Sequence, residues 1–257
     1  MKKELEAFDR LLEIMDELRE KCPWDKKQTL ESLRTLTIEE TYELADAIIK
    51  NDLNELKKEL GDLLLHIVFY SKIGSEKNAF NITDVLNNIN EKLVRRHPHV
   101  FGDVKVQNHT EVEENWEEIK MKEKDRDNSV LSGVPDSLPA LVKANRIQQK
   151  VRGVGFDWDK RSQIWDKVKE ELAELQHEVE TENQEKVEAE FGDLFFSLIN
   201  AARLYDIDPE IALERTNKKF IKRFNYLEGE TIKKGQPLKK MTLEQMNVVW
   251  EAAKKFD

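Results

Sequence analysis

The sequence predicts an all-α protein, and three observations support this fold class. The 257 residues include only 9 glycines and 6 prolines, whereas a turn-rich β protein needs many more of both. Glutamate, lysine and leucine, which favour helices, are abundant. Apolar residues recur at steps of three and four positions, which is typical of amphipathic helices, and no segment alternates convincingly with the period of a strand.

The same periodicity places helices along the whole chain. They are predicted at 5–18, 30–50, 53–73, 82–93, 110–125, 140–151, 162–181, 184–205, 208–229 and 242–255. Between the fifth and sixth helices, a stretch rich in Ser, Gly and Pro is typical of a linker. We therefore expect two tandem helical domains, residues 1–126 and 138–257, joined by a linker at 127–137.

An internal repeat of acidic residues supports the two-domain prediction. Glu39-Glu40-x-x-Glu43 is followed by Glu59-x-Gly61-Asp62, and the same five acids and glycine recur 131 positions later. The second copy comprises Glu170, Glu171, Glu174, Glu190, Gly192 and Asp193. The glycine in each copy stands inside a helical pattern, where it costs about 1 kcal/mol relative to alanine.

Each acidic set is predicted to converge on one spot. Residues three and four positions apart share a helix face, and sixteen residues separate the two acidic groups of each half across a predicted antiparallel hairpin. Converging carboxylates repel one another unless a cation lies between them. Oxygen-only ligands suit a hard ion, Mg²⁺ or Mn²⁺, better than Zn²⁺. The alternative interpretation is a solvated acidic helix face, which is common in a chain with 37% charged residues.

Cations and a tryptophan follow each acidic set in the same order. Two donors on one helix face can hold a polyphosphate, and a Trp beside a Lys can stack on a base. The first half has Lys92, Arg96, Trp116 and Lys120, and the second half has Lys219, Arg223, Trp250 and Lys254. Taken alone, each Lys/Arg pair is better explained by snorkelling or surface ion pairing, and a Trp near a C-terminus is more often a core residue.

Charge and composition exclude other classes of protein. The net charge of −10 disfavours general nucleic-acid binding, because the chain repels the phosphate backbone. A single cysteine, Cys22, rules out an intramolecular disulfide and fits a reducing cytoplasm. The most apolar stretch, residues 63–70, is too short to span a bilayer, and no signal-peptide pattern is evident. We expect a cytoplasmic protein without membrane partners.

Longer motifs surround the acidic residues in both halves of the chain. In the first half they are CPWD at 22–25, EETYEL at 39–44, KELGDLL at 58–64 and RRHPHVFGD at 95–103. In the second half they are VGFDW at 154–158, EELAEL at 170–175 and EFGDLFF at 190–196. These motifs resemble the MazG nucleoside triphosphate pyrophosphohydrolases, across nearly the whole chain and in the two-domain form of that family.

The resemblance implies an all-α NTP pyrophosphatase fold, a homodimer, and Mg²⁺-dependent hydrolysis of nucleoside triphosphates to the monophosphate and pyrophosphate. It also implies that the C-terminal domain is the active one. The metal ligands carried over are Glu171, Glu174, Glu190 and Asp193, with Glu170 adjacent. The phosphate ligands are Lys219 and Arg223, the base-side residues are Trp250 and Lys254, and Lys167 and Lys186 match further nucleotide contacts.

The N-terminal half keeps the full acid set, so the sequence also permits a second site there. Its candidate residues are Glu39, Glu40, Glu43, Glu59, Asp62, Lys92, Arg96, Trp116 and Lys120. In the predicted mechanism the metal activates a water for attack at phosphorus, and Glu170 or Glu171 accepts its proton. Two alternatives stay open. One is a related enzyme acting on phosphoribosyl-ATP or on dUTP or dCTP, and the other is a non-catalytic helical module that senses nucleotides or binds a partner.

Overall fold

Helices form nearly all of the regular structure in the computed structural model of the protein. The structure describes residues 2–106, 108, 111, 112, 115, 116, 119, 129–233, 235 and 237–256, and none of these lies in a strand. The all-α prediction is confirmed. The chain divides into two compact units, Met1–Val112 and Glu113–Asp257. The predicted boundaries at 126 and 138 stay predictions.

Five α-helices have both of their ends among the described residues of the first unit. They are α1 (Lys2–Lys21), α2 (Leu30–Lys50), α3 (Leu53–Glu76), α4 (Ile82–Arg96) and the short α5 (Pro98–Phe101). Helices α2 and α3 form an antiparallel hairpin, and α1 and α4 both contact α3. Met15, Leu33, Val68, Phe69 and Ile73 form the buried core where α1, α2 and α3 meet.

The second unit repeats the hairpin. Its helices are α6 (Ala140–Arg152), α7 (Ile164–Thr181), α8 (Gln184–Leu204), α9 (Pro209–Lys233) and α10 (Leu243–Ala253). Helices α7 and α8 pair as a hairpin, α6 packs on α8, and α10 packs on α9. The predicted helices agree with these bounds to within a few residues, although α9 runs four residues further. The predicted helix at 110–125 lies largely outside the described residues.

Both hairpins turn through the same backbone corner. Asn51, which ends α2, has φ 53° and ψ 36°, and Glu182, which ends α7, has φ 56° and ψ 23°. The next residue caps the following helix in each case, because Asp52 accepts from the N–H of Asn54 and Glu55 while Asn183 accepts from that of Lys186. These corners fix the register in which the acidic residues of paired helices face each other.

A buried lysine of the second unit forms hydrogen bonds with part of the predicted linker. Lys150, on α6, is buried, and its Nζ donates to the carbonyl oxygens of Val130 at 3.2 Å and Ser132 at 2.9 Å. A buried ammonium is costly unless it is hydrogen-bonded, so these carbonyls stabilise α6. No described helix has the length and apolar character needed to cross a membrane.

Candidate active site

Three carboxylates converge across the second hairpin. Glu171 and Glu174 lie one turn apart on α7, and Glu190 lies opposite on α8; one oxygen of each lies within 4.8 Å of the others. We call Glu171, Glu174 and Glu190 the C-terminal nest. Glu171 is buried, Glu190 is half-buried and Glu174 is exposed. The 3.6-residue period and the hairpin corner together produce this convergence.

The C-terminal nest is electrostatically strained by its own charge. Desolvation raises the pKa of the Glu174 carboxyl, and the negative charges of Glu171, Glu190 and Glu170 raise it further. Crowded carboxylates of this kind are relieved by a proton or by a cation. Oxygen-only donors at this spacing suit Mg²⁺ or Mn²⁺, so the residues present fit the predicted metal.

Lys167 supplies a positive charge inside this group. Its Nζ lies 2.8 Å from Oε1 of Glu170 and 2.7 Å from Oε1 of Glu171. Hydrogen bonds to those two carboxylates, Glu170 first, raise the pKa of Lys167 strongly, so it is charged at neutral pH. The other predicted nucleotide contact, Lys186, instead pairs with Glu178 at 3.3 Å.

Asp193 does not join the three converging carboxylates. It follows Glu190 by nearly one turn on α8, but it is exposed and is not a member of the C-terminal nest. Glu170 is also exposed and contacts Lys167. The neighbouring Gly192 has open space around the position of a Cβ, as does Gly61 in the first unit. Close packing against the described residues therefore does not explain either glycine.

The predicted phosphate and base residues lie on α9 and at the end of α10. Arg223 stacks on the Trp250 ring, with its Cζ 5.6 Å from the ring centroid. Trp250 also contacts Phe220, at 4.9 Å between ring centroids. Lys219 is exposed on α9, and Lys254 pairs with Glu251 at 2.6 Å. The structure thus joins one predicted phosphate ligand directly to the predicted base-stacking ring.

Phe220 is a contact of Trp250 that the sequence interpretation missed. The spacing of residues within α9 shows that Phe220 and Arg223 share a face, but it does not show that α10 packs there. Only the tertiary packing of α10 on α9 brings Trp250 to that face. The sequence therefore indicated which residues share a face of α9, but not that Phe220 contacts Trp250.

The first hairpin carries a matching group of carboxylates. Glu40 and Glu43 on α2 and Glu59 on α3 each offer an oxygen within 4.8 Å of the others, and we call them the N-terminal nest. Desolvation is the main cause that raises the pKa of Glu59, followed by a hydrogen bond with Glu55 and the charge of Glu43.

The other candidates of the first half lie outside this nest. Glu39 and Asp62 are exposed, Lys92 and Arg96 are half-buried on α4, and Trp116 is 38% exposed. Lys120 lies outside the described residues.

Comparison with known proteins identifies the family. A family model described as the MazG nucleotide pyrophosphohydrolase domain matches twice, at residues 28–101 and 160–227. Each match contains one hairpin with its nest. The chain belongs to the MazG nucleotide pyrophosphohydrolase family, so it is an enzyme of the acid anhydride hydrolase class. The predicted family is confirmed.

Two relatives support this assignment over the full length. The chain is 42% identical to the nucleoside triphosphate pyrophosphohydrolase of Escherichia coli K12, with 98% of each chain covered. It is 44% identical to the nucleoside triphosphate pyrophosphohydrolase/pyrophosphatase MazG of Thermotoga maritima, covering 97% of this chain and 96% of that protein. A crystal structure of a mazG-related protein from Thermotoga maritima is similar over 44% of this chain and 99% of that one, with 32% identity and a TM-score of 0.40.

Proposed function

We propose that the protein hydrolyses nucleoside triphosphates to the monophosphate and pyrophosphate in a Mg²⁺-dependent reaction at the second hairpin. The observation that carries this proposal is the C-terminal nest, in which three carboxylate oxygens lie within 4.8 Å of one another. The names of the full-length relatives support the choice of a triphosphate substrate. Mn²⁺ is a chemically reasonable substitute, because it accepts the same oxygen ligands.

Glu171, Glu174 and Glu190 would hold the ion, and Asp193 would complete the ligand set from the next turn of α8. A bound Mg²⁺ would neutralise charge on the triphosphate and would lower the pKa of a water bound to it. Glu170 or Glu171 accepts the proton of the water that attacks phosphorus, as a general base. No covalent intermediate with the protein is needed.

The cationic residues act on the other side of the reacting phosphate. Lys219 and Arg223 stabilise the negative charge that develops on the departing pyrophosphate. Trp250 stacks on the base, and Lys254 contacts the base side. Lys167 and Lys186 reach the nucleotide once they leave their present partners. We place this catalytic site in the predicted C-terminal domain, residues 138–257.

The products and the metal requirement test this proposal. Purified protein is incubated with single and mixed nucleotides, with and without Mg²⁺, and pyrophosphate and orthophosphate are measured separately. We expect pyrophosphate as the primary product, only with Mg²⁺ or Mn²⁺. Orthophosphate as the primary product would contradict the assignment. Turnover restricted to phosphoribosyl-ATP or to dUTP and dCTP would identify a related pyrophosphatase, and absence of turnover would leave a binding module.

We further propose that the protein is a homodimer. Large apolar side chains are exposed along α8 and α9: Phe191, Phe195, Leu198, Ile211, Leu213, Phe220 and Ile221. Phe191, Phe195 and Leu198 follow one another at steps of four and three residues, so they share one face of α8. An exposed apolar face is typical of association sites. Phe195, which is 59% exposed, is the best single probe. In sedimentation, Phe195→Glu should shift the protein towards a monomer, whereas Glu188→Lys, an exposed acidic control on the same helix, should not.

A further inference from the structure

The two nests differ in the positive charges around them. At the fixed offset of 131 residues, Glu40, Glu43 and Glu59 correspond to Glu171, Glu174 and Glu190. Two lysines on the second hairpin have no counterpart on the first. Leu36 occupies the position of Lys167, and Glu55 occupies the position of Lys186.

This difference is visible in the contacts of the two hairpins. Lys167 makes ion pairs with Glu170 and Glu171, at 2.8 and 2.7 Å, and so neutralises part of the C-terminal nest. Leu36 instead packs against the apolar core of the first unit. In the described part of the chain, Glu40, Glu43 and Glu59 form no ion pair. The nearby Lys58 pairs with Glu55, at 2.6 Å.

Glu59 is the residue that most needs a cation. It is only 4% exposed, and its Oε2 is buried without a hydrogen-bond partner. A buried carboxylate oxygen without a partner is unfavourable, because it has lost its hydrogen bonds to water. The same carboxyl lies within 4.8 Å of ligand oxygens from Glu40 and Glu43, so one ion can satisfy all three.

We propose that the N-terminal nest is a divalent-cation site that fills in the absence of nucleotide. Three carboxylates that form no ion pair with a described lysine attract Mg²⁺ or Mn²⁺ by themselves, and the buried Oε2 of Glu59 has no hydrogen-bond partner. The C-terminal nest is different, because Lys167 must be displaced from Glu171 before an ion can bind. Its ion therefore binds together with the nucleotide. This binding order rests on the function proposed above.

Counting ions without nucleotide tests the proposal and requires no turnover. Full-length protein is titrated with Mn²⁺, and free Mn²⁺ is followed by electron paramagnetic resonance. Wild type should bind one ion per chain tightly. Glu59→Gln should lower that affinity at least tenfold, whereas Glu190→Gln, the matched change 131 positions later, should change it less than twofold. The proposal would be overturned if Glu190→Gln lost Mn²⁺ affinity while Glu59→Gln retained it. It would also be overturned if wild type bound no Mn²⁺.

Two further variants address folding and the role of lysine. Glu43→Gln changes an exposed member of the N-terminal nest, so it should fold normally and still lower Mn²⁺ affinity at least tenfold. Lys167→Met removes the ammonium group that pairs with Glu171 of the C-terminal nest, and its side chain is 37% exposed. This variant should bind a second Mn²⁺ ion per chain in the absence of nucleotide. Unchanged affinity in Glu43→Gln, or no second ion in Lys167→Met, would contradict the difference proposed between the nests. Because no nucleotide is present, failure of these arms is separable from failure of the proposed hydrolysis.

Discussion

Single carboxyl groups carry the electrostatic strain of each hairpin. Burial and like charges raise the pKa values of Glu59 and Glu174, so both side chains resist ionisation in the folded protein. Each has two ways to relieve the strain, namely a proton at low pH or a metal ion at neutral pH. Stabilisation by a proton is lost as the pH rises, whereas stabilisation by a metal ion increases because the ion binds the ionised carboxylates.

Metal-free protein should reveal this strain in its pH dependence. A carboxyl whose pKa is raised on folding adds stability below its ordinary pKa of 4.5, and that stability is lost as the pH rises through the folded value. In EDTA, wild type should therefore lose free energy of unfolding relative to Glu59→Gln from about pH 4.5 upward. Melts of both proteins from about pH 4 to pH 7 measure the difference.

Saturating Mg²⁺ should remove most of that loss from wild type and should stabilise Glu59→Gln less, because the variant binds the ion more weakly and binding to the folded state stabilises it. A difference between the two proteins that does not vary with pH would show that Glu59 is already ionised and paired.

Asp193 is the second residue whose role can be isolated. Asp193→Asn keeps the shape and removes one negative charge beside a crowded group, so the metal-free protein should be as stable as wild type or slightly more stable. The stabilisation by Mg²⁺ and nucleotide should shrink, since a charged ligand is missing. Hydrolysis should fall by about a hundredfold or more, which corresponds to about 3 kcal/mol of transition-state stabilisation.

Glu188→Gln is the control for this experiment, because Glu188 is exposed on the same helix and lies outside the nest. Thermal melts with and without Mg²⁺, together with a rate assay, distinguish the two roles. If Asp193→Asn were fully active, or equally destabilised with and without metal, Asp193 would have no place in the site.

At the scale of elements, the hairpin corner organises each nest. Asn51 and Glu182 both adopt the left-handed conformation, which Asn tolerates better than Glu because its short side chain bonds to nearby backbone. The second hairpin therefore carries a small strain that the first one avoids. This strain lies eight residues from both Glu174 and Glu190, so it can be relieved without touching the nest.

Glu182→Asn should consequently stabilise the protein by about 0.5–1 kcal/mol. Glu180→Asn is the matched control, because Glu180 is an exposed residue within α7, where Asn is a poorer helix former. That control should destabilise the protein by a few tenths of a kcal/mol. Denaturant unfolding of both variants checks the prediction, which fails if the two changes have the same sign.

The elements themselves were largely predictable from the sequence, and the ion pairs were not. Steps of three and four residues located α2, α3, α7 and α8, and sixteen-residue spacing across a hairpin predicted that Glu174 would meet Glu190. The position of Lys167 allowed several partners, since a lysine at that spacing can point to solvent, to Glu170 or to Glu171. Only packing decides among such rotamers, and only packing placed Asp193 outside the three converging carboxylates.

At the scale of the whole molecule, the two units can be tested for independence. We expect the predicted C-terminal domain, residues 138–257, to hydrolyse nucleotides by itself, because it holds the C-terminal nest together with Arg223 and Trp250. A fragment of residues 1–126 is the comparison. Activity confined to that first fragment would contradict the choice of site and leave the proposed reaction standing.

The structure also predicts where the active fragment should begin. A fragment of residues 129–257 retains the carbonyl groups of Val130 and Ser132 that accept from the buried Lys150, and a fragment of residues 138–257 lacks them. Removing these two acceptors from a buried charged donor costs about 1–3 kcal/mol. The longer fragment should therefore unfold at higher denaturant concentration, and equal midpoints would show that water replaces both carbonyls.

The shared corner of the two hairpins also has a historical consequence. A left-handed residue, its capping neighbour and five acids recur together at one offset of 131 residues, which is what tandem duplication of a single ancestral hairpin leaves behind. Once a gene holds two copies, selection on one copy releases the other from the original task. Leu36 and Glu55 stand where the second copy has Lys167 and Lys186, so the duplication left two acidic hairpins whose charges could change independently of each other.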